Sequence, residues 1–279
     1  MTTGENFPVG SLLIRRDLRE VVVAFYRFAR AADDVADAPD LPPGEKLRRL
    51  DRFEAGVDGD REGAPEGLAL HALARPEPAR HARRLLRAFR WDARGGGCAT
   101  WADLLAYCED SANPVGRFLL DLHDEGGRAC GASDALCTAL QVLNHLQDLG
   151  ADHLRLRRHY LPAEWLTEEG ATLGDLGGPA LTPALRRAVG RALDRCDALL
   201  DEAGALPRAL ASRRLAGEAA TVLWLARRLS ARLRAGDPLA GRVAPSRLDF
   251  ARAGLWGLGT TLAPWPLPGA DRRLRGGDA

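Results

Sequence analysis

Apolar positions recur every third or fourth residue along most of the chain, and no alternating stretch persists long enough to read as a strand. Asp17 to Ala38 predicts a first helix, with Val21, Val22, Phe25, Phe28 and Ala29 on one apolar stripe and Pro39, Pro42 and Pro43 ending it. Glu45 to Val57 predicts a second, with Leu47, Leu50 and Phe53 inward, and Asp58 to Gly67 a polar, glycine-rich loop. Pro78 to Trp91 reads as helix and stops before Gly95-Gly96-Gly97. Thr100 opens another, with Asp103 placed for a capping box, and it runs to about His123 with a distortion at Pro114. Ser133 is a suitable N-cap for a helix to about Arg155, and Leu161-Pro162 separates that helix from a short segment around Trp165. Two long helices, Thr182 to Ala203 and Pro207 to Arg234, and a last one over about Ser246 to Leu258 complete the pattern. Roughly ten helices without strands predict an all-α fold, as one domain over residues 1–279.

The polar positions on two of these helices correspond. Tyr26, Arg30, Asp33 and Asp37 stand at i, i+4, i+7 and i+11; Gln141, Asn144, Asp148 and Asp152 stand at i, i+3, i+7 and i+11. Each set shares one helix face and spans roughly 16 Å. Two carboxylates one turn apart repel each other, and apolar flanks raise the cost of a bare pair. A divalent cation removes that cost. Either set alone could equally be a solvated acidic face; two sets with matching polar partners point to a site. Mg²⁺ is a hard ion held by one or two carboxylates plus substrate phosphates, and Arg30 could add a bidentate phosphate contact. Metal between facing helices would neutralise charge on a departing diphosphate, leaving a carbocation that an apolar, aromatic-lined cavity shelters.

Composition narrows the partners. The 39 basic and 38 acidic residues leave a net charge of +1, which argues against a nucleic-acid binder. Cys98, Cys108, Cys130, Cys137 and Cys196 form no CxxC pair and are odd in number, which fits free thiols in a reducing, cytoplasmic setting. Met1 to Gly10 has no apolar signal core, and no stretch reaches the length of a membrane span. Ala253 to Pro268 comes nearest, broken by glycines and prolines, and allows at most a peripheral membrane contact. No glycine-rich βαβ fingerprint is present, so the reaction is expected to need no NADPH.

These motifs resemble those of the squalene/phytoene synthase superfamily. The run from Phe25 to Asp37 resembles its first aspartate-rich motif and the run from Gln141 to Asp152 its second; Tyr160-Leu161-Pro162, Tyr107-Cys108 and the run from Ser111 to Arg117 also match. Glu5-Asn6-Phe7-Pro8-Val9 is similar to the bacterial hydroxysqualene synthase branch. The resemblance implies an isoprenoid-synthase helical bundle with a central cavity. It assigns Mg²⁺ to Asp33, Asp37, Asp148 and Asp152, and diphosphate to Arg30, Asn144 and Gln147. Tyr26, Gln141, Asn113, Arg117, Arg157 and Tyr160 would complete the substrate site.

Two departures bear on the substrate. Where the branch has Phe-Arg-Gln-Asp, then a basic residue or two and a tyrosine, this chain has Phe89-Arg90-Trp91-Asp92 and then Gly95-Gly96-Gly97. After Tyr107-Cys108 it has Glu109-Asp110 in place of an arginine and its neighbour. Trp91 could stack on a planar acceptor, and Glu109 or Asp110 could accept its hydrogen bond. The sequence expectation is therefore transfer of a prenyl group from an allylic diphosphate to an aromatic small molecule. The alternative is hydroxysqualene synthase, taking presqualene diphosphate and water. A non-enzymatic assembly factor is disfavoured by the retained aspartates.

Overall fold

The computed structural model describes residues 16–262; the Glu5 to Val9 motif and the end of the Ala253 to Pro268 segment lie outside them. A 3₁₀ turn at Arg16–Leu18 leads into α1, Arg19–Ala36, then α2, Pro43–Val57, α3, Pro65–Ala72, and α4, Pro76–Ala93. Prolines at the first turns of α2, α3 and α4 start these helices where a missing N–H does no harm. The loop expected up to Gly67 is shorter, because Pro65 starts α3, a helix too short and too uniformly apolar to show a period.

The predicted Thr100 helix is two. Thr100 caps α5, Trp101–Ser111, with the reciprocal capping box to Asp103; the chain breaks at Ala112, and α6, Asn113–Leu122, carries Pro114 in its first turn. The second aspartate helix is broken as well. α7 spans Cys130–Gln147, so Ser133 is a buried residue inside it rather than its cap. Asp148 leaves helical geometry, α8 is the single turn Leu149–Ala151, and a π-turn, Asp152–Leu156, ends at Arg157 with φ of 55°. α9, Ala163–Glu169, and α10, Pro183–Ala203, follow the expected pattern. The helix expected from Pro207 to Arg234 is interrupted: α11 is Leu206–Ala209, Ser212 caps α12, Arg213–Ala235, and α13 is Arg247–Leu262.

Two apolar clusters hold the bundle. One joins α1, α2, α4 and α6 through Phe25, Phe28, Leu50, Leu85 and Phe118; the other joins α5, α7, α9, α10 and α12 through Leu143, Trp165, Leu193 and Leu229. Among the described residues there is no strand, only one bridge between Gly97 and His159. No helix of the described residues is long and apolar enough to cross a membrane, and all five cysteines are free.

Candidate active site

A cavity of about 500 Å³ lies where the two clusters meet, between α1, α4, α5, α6, α7 and α12. Its wall is mostly apolar: Val22, Phe25, Leu85, Phe89, Phe118, Leu136 and Leu215. Phe25 and Phe118 stack with ring centroids 4.0 Å apart. Tyr26, Arg30, Asp33 and Gln141 also line it, so the shared face of α1 opens into the cavity as the spacing predicts. Ser111 and Glu218 add polar atoms to the wall, and the Ser111 hydroxyl is buried without a hydrogen-bond partner among the described residues.

Both acidic sets sit at helix C-termini, where the helix dipole disfavours negative charge. Burial, then Asp37, raises the Asp33 carboxyl to about 7 despite the opposing pull of Arg30. Arg30 itself reaches Asp33 at 3.3 Å and Asp34 at 3.0 Å. Asp148 is also raised, by desolvation and then by Asp152. His145, on the α7 face that carries Gln141, places Nδ1 3.6 Å from Asp152 and Nε2 3.1 Å from the Gln141 amide, with its ring stacked on Tyr160.

Arg158 joins the two ends. Its backbone N–H donates to the Asp152 carbonyl at 3.1 Å, and its buried guanidinium donates to Asp37 at 2.6 Å, the Ala36 carbonyl at 2.6 Å and the Asp92 carbonyl at 3.1 Å. Lys46 donates to the same Ala36 carbonyl at 2.8 Å, so two cations offset the acidic end of α1. Asp92 is 5% exposed and raised by burial, yet it accepts from Tyr160 at 2.6 Å and Tyr107 at 2.9 Å. Arg158, Asp92 and Tyr107 thus belong to the polar end of the site, although spacing arguments did not assign them roles. The signal was present in Asp92, a lone acid ending the apolar face of α4.

Other expected residues lie elsewhere. Arg157 is exposed at its left-handed position, one residue from the arginine that makes the contacts. Arg117 forks onto Asp134 at 2.8 and 3.1 Å, Asn113 accepts from Thr138 at 3.0 Å, and Gln147 donates to the Val243 carbonyl. Asn144 stands one turn before Asp148, whose N–H it accepts through its backbone carbonyl at 3.0 Å. Tyr160 is buried in the Asp92 network rather than on the cavity wall. Trp91 packs on Tyr107 at 4.9 Å and Tyr160 at 6.1 Å; Asp110 pairs with Arg84 at 2.8 Å; Glu109 faces solvent. None of these three lines the central cavity; Trp91 and Asp110 border a separate notch on the outer side of α4 and α5.

The donor set suits a hard cation: carboxylates on two helix ends, at least one of them desolvated against a like charge. Among the described residues no three metal-ligating side chains converge on one point. That fits an ion that takes one or two carboxylates and completes its shell with substrate oxygens.

Known proteins place this geometry. The squalene/phytoene synthase family model matches residues 1–249. The chain is 40% identical over 253 residues to a hydroxysqualene synthase of Sinorhizobium fredii, covering 90% of this chain and 87% of that one. It is 41% identical over 251 residues to the hydroxysqualene synthase of Rhodopseudomonas palustris, covering 89% and 86%. The structure of a squalene synthase from Alicyclobacillus acidocaldarius superposes with a TM-score of 0.68 at 31% identity, over 81% of this chain and 87% of that one. The fold is that of the isoprenoid synthases, and the chain belongs to the squalene/phytoene synthase family.

Proposed function

We propose that this protein ionises presqualene diphosphate and captures the rearranged cation with water, giving hydroxysqualene and diphosphate. The carrying observation is the likeness to hydroxysqualene synthases, at 40% and 41% identity across nine-tenths of the chain. The aromatic-acceptor reading drawn from the sequence needs Trp91, Glu109 and Asp110 on the substrate, and all three lie off the cavity wall. They are read instead as packing, a solvent-facing charge and an ion pair.

The chain's own groups divide the work. Asp33, Asp37, Asp148 and Asp152 would hold Mg²⁺, which when bound neutralises charge on the leaving diphosphate. Arg30, exposed and paired among the described residues with Asp33 and Asp34 of its own helix, would swing to a phosphate oxygen once Asp33 is otherwise engaged. Arg158 and Lys46 fix the α1 end so that Asp33 keeps its place. Phe25, Tyr26, Tyr107 and Phe118 present aromatic faces, along a mostly apolar wall, on which cationic carbon is favourable. Among the polar groups of that wall, Ser111, Gln141 and Glu218 would hold the water that captures the cation.

The test is product identity. Purified protein is incubated with Mg²⁺ and presqualene diphosphate, and in parallel with C5, C10 and C15 allylic diphosphates plus aromatic acceptors. Hydroxysqualene by gas chromatography–mass spectrometry, made without NADPH, is the expected product. Prenylated aromatics with presqualene diphosphate left untouched would refute the proposal and restore the acceptor reading.

A further inference from the structure

The reaction proposed above leaves His145 unused, although it touches both halves of the site. It lies on α7 one turn after Gln141, on the face that carries Gln141 to the cavity wall. Its ring is clamped. It stacks on Tyr160 with centroids 3.5 Å apart and planes 16° apart, Tyr107 flanks it at 5.8 Å, and Tyr160 is itself tied to buried Asp92 at 2.6 Å. Only 13% of the side chain is exposed. An imidazole held this way does not turn freely, so the fold sets the directions of its two nitrogens.

Each nitrogen faces one half of the site. Nε2 lies 3.1 Å from the Gln141 amide nitrogen. That nitrogen only donates, so Nε2 accepts, and the proton of the neutral ring sits on Nδ1. Nδ1 in turn directs its N–H toward Asp152 Oδ2, 3.6 Å away. This contact depends on the break in α7. On an unbroken helix Asp152, seven residues on, would stand about 10 Å further along the axis; the interruption at Asp148 and the π-turn after it bring the carboxylate back. At the other nitrogen, the bond that holds the Gln141 N–H leaves its carbonyl oxygen without a partner among the described residues, on a side chain that lines the cavity.

We propose that His145 is a positioning residue that couples the two halves: through Nδ1 it holds Asp152 toward Mg²⁺, and through Nε2 it turns the Gln141 carbonyl to the water that captures the cation. The second contact rests on the hydroxysqualene reading; the first does not. Hydrogen-bond partners of a metal-binding carboxylate fix its orientation and raise metal affinity. The Gln141 carbonyl fixes one contact of the water, and the product depends on that water. Held in place, its oxygen bonds the cationic carbon and its extra proton passes to the released diphosphate, giving the alcohol. Out of place, it leaves the same cation to lose a proton from the adjacent carbon to the diphosphate. The electron pair of that C–H bond becomes a C=C bond, giving an alkene of the same carbon skeleton.

Three variants of the full-length protein separate the two contacts. The amide nitrogen of asparagine falls near the place of Nδ1, and the amide oxygen of glutamine near that of Nε2. His145→Asn therefore keeps the contact to Asp152 and loses that to Gln141, and His145→Gln does the reverse. His145→Phe loses both and keeps a ring on Tyr160. Two readouts are taken on each: calorimetric binding of inorganic pyrophosphate with Mg²⁺, and the alcohol-to-alkene ratio from presqualene diphosphate by gas chromatography–mass spectrometry. Pyrophosphate binding weakens about tenfold or more in His145→Gln and His145→Phe and stays near wild type in His145→Asn. The alcohol-to-alkene ratio falls about tenfold, the effect of about one lost hydrogen bond, in His145→Asn and His145→Phe and stays near wild type in His145→Gln. Equal losses on both readouts in the Asn and Gln variants would reduce His145 to packing, and wild-type values throughout would leave it no role; either overturns the proposal. Should His145→Phe fail to fold by circular dichroism, the Asn and Gln pair decides. A wild-type protein that makes no hydroxysqualene refutes the reaction rather than the place of His145, and pyrophosphate binding then decides alone, with equal binding by all variants counting against it.

Discussion

Asp33 stands on a helix that runs unbroken from Arg19 to Ala36, with Asp37 as its C-cap, whereas Asp148 and Asp152, at the same spacing, flank a helix that ends at Gln147 and resumes for one turn. On α1 the result is a shared face, with Tyr26, Arg30 and Asp33 all on the cavity wall. At the end of α7 only Gln141 reaches that wall, and Asp152 turns beside His145. Equal spacing in sequence therefore does not mean equal geometry. Acid at a helix C-terminus works against the dipole, and the two ends answer differently. α1 imports two cations, Lys46 and Arg158. α7 stops being a helix. Acid placed against the dipole at both ends is what a site built for a ligand rather than for folding would show.

The contrast can be broken most forcefully at Arg158, which belongs to both ends. Arg158→Met leaves buried Asp92 with its two tyrosine donors but no paired cation, and the Ala36 carbonyl with Lys46 alone, so stability should fall by about 3 to 5 kcal/mol. Arg157→Ala, one residue earlier and exposed, should change it by less than about 0.5 kcal/mol. Urea denaturation of the two variants decides; similar losses would mean that the contacts of Arg158 do not hold the ends together.

Next in size is the chemistry. Asp33→Asn and Asp148→Asn should each lower turnover at least about a hundredfold, equivalent to about 2.7 kcal/mol of barrier, with the melting temperature unchanged or slightly raised. Asp33→Asn should give the larger rise, because it removes a carboxylate desolvated beside Asp37. Turnover that survives excess EDTA would defeat the metal assignment for both ends at once.

A smaller effect is expected at Tyr160. Tyr160→Phe withdraws one of the two hydroxyl donors to buried Asp92 and should cost about 1 to 2 kcal/mol by the same denaturation measurement. Trp91→Ala should leave the KM for the diphosphate substrate nearly unchanged, since the ring packs behind Tyr107 and Tyr160 rather than on the cavity wall.

The smallest prediction lies far from both ends and reverses the sign. Asp249 is held well below the usual carboxylate range by Ser246 and Arg232, against the opposing effect of burial. Its folded-state value is depressed, so its contribution is present above about pH 4, the unfolded value, and is lost as pH falls below that. The protection of α13 amides, relative to their intrinsic exchange rate at each pH, should therefore fall on acidification from pH 5 to pH 3, and Asp249→Asn should flatten that fall. An identical acid response in the variant would assign the loosening to other groups.

Much of this was legible in the residues. The stripe of α1 and the capping box at Thr100 follow from local rules, and the structure keeps both. Breaks were less legible. Nothing in Gln147-Asp148-Leu149 is a helix breaker, and the interruption there depends on where the chain must go next, to bring Arg158 against Asp37. Ser133 has the right chemistry for a cap, but Gly116 lies so close that only a small side chain fits there, and the helix starts three residues earlier. Pairwise partners were the least legible of all: no spacing rule links Arg117 to Asp134, Asp110 to Arg84, or Arg158 to three helices, because each contact is made by packing between distant segments. Substitutions at Trp91, Glu109 and Asp110 were visible in the sequence, but which side of α4 and α5 they occupy was not.

The central claim is spatial: hydrocarbon in the cavity between the two clusters, diphosphate at the aspartate ends. A crystal structure with Mg²⁺ and a thio-analogue of presqualene diphosphate tests it directly. The account predicts the chain of the ligand along Phe25, Tyr26, Phe118 and Leu215, with its diphosphate between Asp33 and Asp148. A ligand seated instead in the notch between Trp91 and Asp110 would contradict it.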